Sequence, residues 1–267
     1  MEKLYKHMKR FKLRAKFDVR VVEEDEFSVW SSWQERDGKC INERQTFLHT
    51  TGVNAVGQGS AGEIGCMDLR APGMGRRFVL PARKRPLVED GAEEVDEEIY
   101  HLRRYLKGVP EGQCEILRES ALPQESNIDF MGGIDYRKGC YLGQELTIRT
   151  HHTGVVRKRI LPMMIYGSHE DTPKKLEYRP EAVIERPPAE TSIARVDKRS
   201  RGAGKWLAGI GNIGLALCRL EVMTDRVVQG EPGSYNEDEF KLEWVDEDGG
   251  GKTVKGKAFV PPWHLTR

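Results

Sequence analysis

The chain has 267 residues, of which 43 are Lys or Arg and 42 Asp or Glu, giving a net charge of +1 and a mean hydropathy of −0.61. That length can bury one large core or two small ones. The near-balance of charge excludes a global pull toward nucleic acid or a membrane surface, and no apolar run is long enough to read as a spanning helix.

The first twenty residues hold eight cations (Lys3, Lys6, Lys9, Arg10, Lys12, Arg14, Lys16 and Arg20) against Glu2 and Asp18. Serine is absent there, unlike a transit peptide. Leu4, Met8 and Phe11 repeat at helical spacing. Leu13, Ala15, Phe17, Val19 and Val21 then alternate as a strand does. A helix running into a strand reads as domain interior. Phe27, Val29 and Trp30 to Trp33 predict a second strand after the acidic turn Glu23–Glu26. Residues 51–65 are Gly-rich and read as a loop, and short strands are predicted near Cys66–Leu69 and Phe78–Pro81.

The clearest helix covers 94–107, with Val95, Ile99, Leu102 and Leu106 on one face, acids at its start and Arg103, Arg104 and Lys107 at its end. Gly108 and Pro110 stop it. Residues 110–137 read as a loop-rich approach. From Val155 a strand leaves Gly154, and the Pro- and charge-rich residues 167–190 predict a surface insertion. Strands are predicted again at 193–196, 206–210 and 215–222. A hairpin then pairs Phe240, Leu242 and Trp244 with Val254 to Val260. The pattern predicts an α+β domain over 1–153 and a mostly-β domain over 154–267.

Five cysteines (Cys40, Cys66, Cys114, Cys140 and Cys218) are scattered, and no pair has C-x-x-C spacing. Free thiols in a reducing compartment follow, four of them expected as buried small hydrophobes. Cys140 differs. It lies between Gly139 and Tyr141, beside Arg137 and Lys138, and this setting favours a thiolate, more so if a helical turn begins near it. One thiolate cannot hold an iron–sulfur cluster, so a cluster role requires ligands from a partner. A buried cysteine at a domain junction, its glycines serving only the turn, reads equally well from residue chemistry.

Other matches carry less. Gly209–Gly214 fits G-x-G-x-x-G without a βαβ unit around it. Gly249–Thr253 resembles a phosphate loop, but Asp246 stands where its first glycine belongs. His151 and His152, adjacent in sequence, point in different directions and make a poor pair of ligands for one metal.

The run Lys138-Gly-Cys-Tyr-Leu-Gly-Gln-Glu145 strongly resembles the signature of the YgfZ-type relatives of the glycine-cleavage aminomethyltransferase. Leu122–Glu125, Ile134–Asp135, Arg149, Gly154–Arg159, Gly214–Leu220 and Ala258–Pro261 look like further family blocks. The resemblance implies an α+β body domain of the folate-binding type and a C-terminal β-barrel domain. It is nearest to the mitochondrial members that assemble [4Fe-4S] proteins. It implies a matrix location and a protein that is monomeric when alone, with no membrane insertion and no nucleic acid. By resemblance Cys140 shares a [2Fe-2S] cluster with an A-type iron–sulfur scaffold protein, framed by Lys138, Gly139, Tyr141, Gly143, Gln144 and Glu145. Family members carry a segment ahead of the helix that Met1 to Arg10 match. The chain is expected to lack that segment, which bears on any tetrahydrofolate pocket. A folate-dependent aminomethyl transferase, and a folate-binding module without catalysis, stand as alternatives to the assembly factor.

Overall fold

The computed structural model describes residues 2–34, 64–88, 91–141, 143–196, 202–225, 240–246 and 248–265. By contacts the chain forms two compact units, Met1–Asp68 with Gly75–Glu93, and Leu69–Met74 with Glu94–Arg267. The 51–65 loop reading falls almost wholly outside the described residues, except that Ile64 and Gly65 open a strand.

The first unit opens with helix α1 (Glu2–Lys12), which buries none of its side chains. Strands β1 (Phe27–Ser32), β2 (Ile64–Met67) and β3 (Arg76–Pro81) form an antiparallel sheet in the order β1-β3-β2. Trp30 lies opposite Phe78 and Val29 opposite Val79, so alternate residues share a face. Phe78 and Leu80 are buried on one face, while Val29, Ile64 and Val79 are exposed on the other. Gly75 has φ +84, and a side chain there would run into the Ser32 carbonyl, so the approach to β3 requires glycine. The strand predicted over 13–21 does not form. Leu13 turns the chain with φ 45, and residues 15–23 pair with no strand among the described residues. An alternating pattern needs a partner ladder to become a strand.

The second unit contains α2 (Glu97–Lys107), α3 (Gln144–Thr153) and a closed barrel of six antiparallel strands. These are β4 (Lys158–Tyr166), β5 (Ser192–Arg195), β6 (Gly204–Ile210), β7 (Ile213–Arg219), β8 (Phe240–Val245) and β9 (Gly251–Ala258), arranged β4-β7-β6-β5-β8-β9. The α+β architecture followed by a barrel is the one the sequence predicts. The predicted strand 215–222 is shorter, because Leu220–Met223 turn into the short helix α4.

Strand β4 is an almost continuous apolar run because both of its faces are covered. Leu161, Met163 and Ile165 fill the barrel with Ile193, Trp206, Phe240 and Leu242. Ile160 and Met164 point the other way, into a second cluster with Leu102 and Tyr105 of α2. The apolar face predicted for that helix is rotated: Val95 and Ile99 are exposed, while Leu102, Arg104 and Tyr105 are buried. Arg104 is drawn inward by a two-pronged pair with Glu115, at 2.6 and 2.9 Å. Gly108 ends α2 in the left-handed conformation, φ 69, as the sequence predicts.

Residues 167–190 form no regular element, yet they are not a loose surface excursion. Leu176 and Tyr178 pack on the α2 cluster and Ile184 on the barrel core, and Pro173 and Pro187 are buried. Asn212 fixes the segment by accepting from the Arg179 amide and donating to the Glu177 carbonyl, at 2.9 and 3.0 Å. The Gly209–Gly214 run is the β6–β7 turn, where Gly209 and Gly214 lie opposite each other under the Trp206 ring. Gly249–Thr253 belongs to the β8–β9 hairpin, in keeping with the sequence reading.

Candidate functional site: the Cys140 loop

The signature lies in the second unit, as a loop followed by α3. Asp135 opens it with an Asx turn, its Oδ1 accepting from the Arg137 amide at 2.8 Å. Lys138 is exposed and its Nζ sits 4.5 Å from the centre of the Tyr141 ring. Gly139 is exposed with open space around it, and Cys140 is an exposed free thiol. Tyr141 is half-buried. Its amide donates to Gln144 Oε1 at 3.1 Å, while the Gln144 amide donates back to the Tyr141 carbonyl at 3.2 Å. These reciprocal bonds close the turn into α3. Gly143, φ 83, caps the helix, and Glu145 is an exposed acid in its first turn, favourable at the positive end of the helix dipole. Leu142 lies outside the described residues.

The sequence leaves open whether a helical turn begins near Cys140; the helix begins at Gln144, beyond the thiol. The Tyr141 amide next to the thiol is already taken by Gln144. The reading of four buried cysteines changes: Cys66 and Cys114 are exposed, Cys218 is buried, and Cys40 lies outside the described residues. Burial pushes the Cys218 thiol pKa up and keeps it neutral.

Beneath the loop, residues 122–133 are strapped to β4. Arg159 is buried and makes a two-pronged pair with Asp129 at 2.8 Å on both arms. It also donates to the Gln124 carbonyl at 2.6 Å and covers Phe130 at 3.6 Å. Asn127 is fully buried, with its Nδ2 donating to the Ile160 carbonyl at 2.7 Å. Gln124 reaches the signature helix itself, Nε2 donating to the Thr147 carbonyl at 2.9 Å. At the start of the loop the Tyr136 ring stacks on His151 with centroids 3.7 Å apart and planes 15° apart. Burial raises the Tyr136 pKa. His152 meets His151 edge-on at 5.5 Å, so the two rings do not converge on one point.

The sequence reading named Gln124 and Arg159 only within family blocks and did not single out Tyr136, Asn127 or Asp129. Their partners lie many residues away, and no local spacing marks them.

Among the described residues no group of three or more His, Cys, Asp or Glu side chains could enclose a metal ion. The loop offers one exposed soft ligand, and cluster chemistry requires its other ligands from outside this site. Tetrahydrofolate requires a walled pocket of several hundred Å³. A cavity of about 30 Å³, room for a water, lies near Glu125 and Ile160, and an open groove of about 730 Å³ runs along the barrel by Ile184, Trp206 and Trp244. The signature residues line neither.

Comparison with known proteins bears on the whole chain. A family model described as "CAF17, C-terminal beta-barrel domain" matches residues 157–264, the stretch from the first barrel strand to the closing turn Pro262–His264. The mitochondrial iron-sulfur cluster assembly factor IBA57 homolog of Aspergillus fumigatus is 47% identical over 278 residues, covering 97% of this chain and 61% of that protein. The Pyricularia oryzae homolog is 48% identical, covering 98% and 65%. The Neurospora crassa homolog is 46% identical, covering 97% and 62%. The chain is homologous to the IBA57 family. It spans less than two thirds of the length of these curated IBA57 relatives, and the matched part contains both the Cys140 loop and the complete barrel.

Proposed function

We propose that this chain acts in the maturation of mitochondrial [4Fe-4S] proteins and that Cys140 is its working group. In this reading Cys140 is a thiolate ligand to a [2Fe-2S] cluster shared with an A-type scaffold protein. The cluster is cargo held between two chains, and the protein is an assembly factor rather than an enzyme. The mitochondrial matrix is its place of action.

One observation carries the reading. In a chain homologous to IBA57 proteins over nearly its full length, the signature thiol is exposed, with open space at Gly139. A thiol so placed can enter a partner's coordination sphere without the loop first having to unfold. Lys138 and Arg137 beside it supply positive charge complementary to an anionic cluster.

The test mixes reduced protein with cluster-loaded A-type scaffold and follows complex formation together with visible absorbance. The expected result is a complex with a shifted cluster spectrum that is lost in Cys140→Ala. A complex and spectrum indifferent to Cys140→Ala overturn the ligand role.

A further inference from the structure

The Cys140 loop is held chiefly by its own neighbours. The Asp135–Arg137 turn, the Lys138–Tyr141 contact and the Tyr141–Gln144 pair each join residues at most three apart. Such contacts shape a loop without fixing its direction relative to the body beneath. Tyr136 ties the start of the loop to the far end of α3. Its ring lies flat on His151, one turn before the helix cap at Gly154. Gln124 holds the Thr147 carbonyl in the middle of the same helix, and its own carbonyl accepts from buried Arg159 on the first barrel strand. Loop base, helix and barrel are thereby joined.

We infer that Tyr136 and His151 are positioning residues: their stacked rings close the base of the Cys140 loop and hold its thiol in one orientation. The purpose of this clasp rests on the reading of Cys140 as a cluster ligand, although its geometry does not. A shared cluster imposes fixed bond lengths and angles on each ligand. A loop ordered beforehand gives up less freedom on docking than one that must be ordered by the partner. The ring face does this work. Phenylalanine at 136 should therefore retain most of the effect, and alanine should lose it.

The experiment places a nitroxide label on Cys140 in the 267-residue chain in which Cys40, Cys66 and Cys114 are serine, Cys218 being buried. A parallel sample carries the label on Cys114, with Cys140 replaced by serine instead. The Tyr136→Phe, Tyr136→Ala, His151→Phe and His151→Ala variants are compared by continuous-wave EPR.

Expected is a severalfold faster motion of the Cys140 label in both alanine variants, near-parental motion in both phenylalanine variants, and an unchanged Cys114 label throughout. Unchanged Cys140 motion in the alanine variants overturns the clasp. So does Tyr136→Phe behaving like Tyr136→Ala, or equal loosening at Cys114, which would mark general destabilisation. None of these readouts uses a cluster or a partner. If Cys140→Ala leaves the scaffold complex unaltered while the EPR pattern holds, the functional reading falls and the clasp stands. If the scaffold complex needs Cys140 but the label is indifferent to the rings, the reverse is true.

Discussion

Arg159 and Asp129 meet fork to fork, both guanidinium arms on both carboxylate oxygens at 2.8 Å, with 6% and 15% of the side chains exposed. The pair joins the loop-rich segment below the signature to the first barrel strand. A buried charge left without its partner is among the costlier defects in a fold, at about 3–5 kcal/mol. Asp129→Ala should lower stability by that order, seen as a reduced urea midpoint with an unchanged slope. Arg159→Lys should fall between the parent and Asp129→Ala, since an ammonium can meet the carboxylate but neither forks onto it nor covers the Phe130 ring. A midpoint unaffected by Asp129→Ala would show that the pair is incidental.

That pair also shows where sequence reading stops. The barrel was legible because alternating apolar residues declare strands, and a doubly covered strand declares itself by a near-continuous apolar run, as over Ile160–Tyr166 of β4. Cys140 was legible because glycines, cations and a thiol coincide over a few residues. The face of α2 was not, because Arg104 is buried only through Glu115, and a charged residue reads as solvent-facing until its partner is known. The strand expected at 13–21 failed for a related reason: alternation states a preference, and pairing decides it. The Tyr136–His151 stack joins two residues that only the turn into α3 brings together.

Gly214 tests the packing at the barrel's mouth. A methyl group there would overlap the Trp206 ring and the Ala208 carbonyl, in a core where Trp206 is 1% exposed. Backbone cannot give way as a flexible side chain can. Overpacking of this kind costs about 1–3 kcal/mol. Gly214→Ala should lower the melting temperature and shift tryptophan emission, while leaving Cys140 alkylation unchanged. A variant as stable as the parent would mean that the ring has room to move.

The thiols should separate by exposure. In native protein Cys140, Cys66 and Cys114 should be alkylated by iodoacetamide, whereas Cys218, fully buried with its pKa raised by desolvation, should react only on unfolding. Peptide mass mapping reads all of them in one sample. Cys140→Ser should change stability by no more than about 0.5 kcal/mol, as is usual for exposed sites. Cys218→Ser places a hydroxyl in the barrel core and should cost about 1–3 kcal/mol. Comparable alkylation of Cys218 and Cys140 in folded protein would contradict the burial pattern.

Glu125 supplies a pH dependence. Burial beside the small cavity raises its carboxyl pKa above the ordinary value, and the charge of Lys158 opposes this only in part. Below the ordinary carboxylate pKa, about 4.3, the group is protonated in folded and unfolded chains alike and takes nothing from stability. As pH rises, the unfolded chain releases its proton first, so folding loses stability until the folded carboxyl also ionises, after which the deficit stays constant. Glu125→Gln removes a charge that burial disfavours and keeps the backbone carbonyl that accepts from the Ile160 amide at 2.8 Å. The melting temperature of Glu125→Gln relative to the parent should therefore climb as pH rises above the ordinary carboxylate pKa, about 4.3, and then level off. A relative melting temperature that falls over that interval would mean that attraction to Lys158 outweighs the cost of burial.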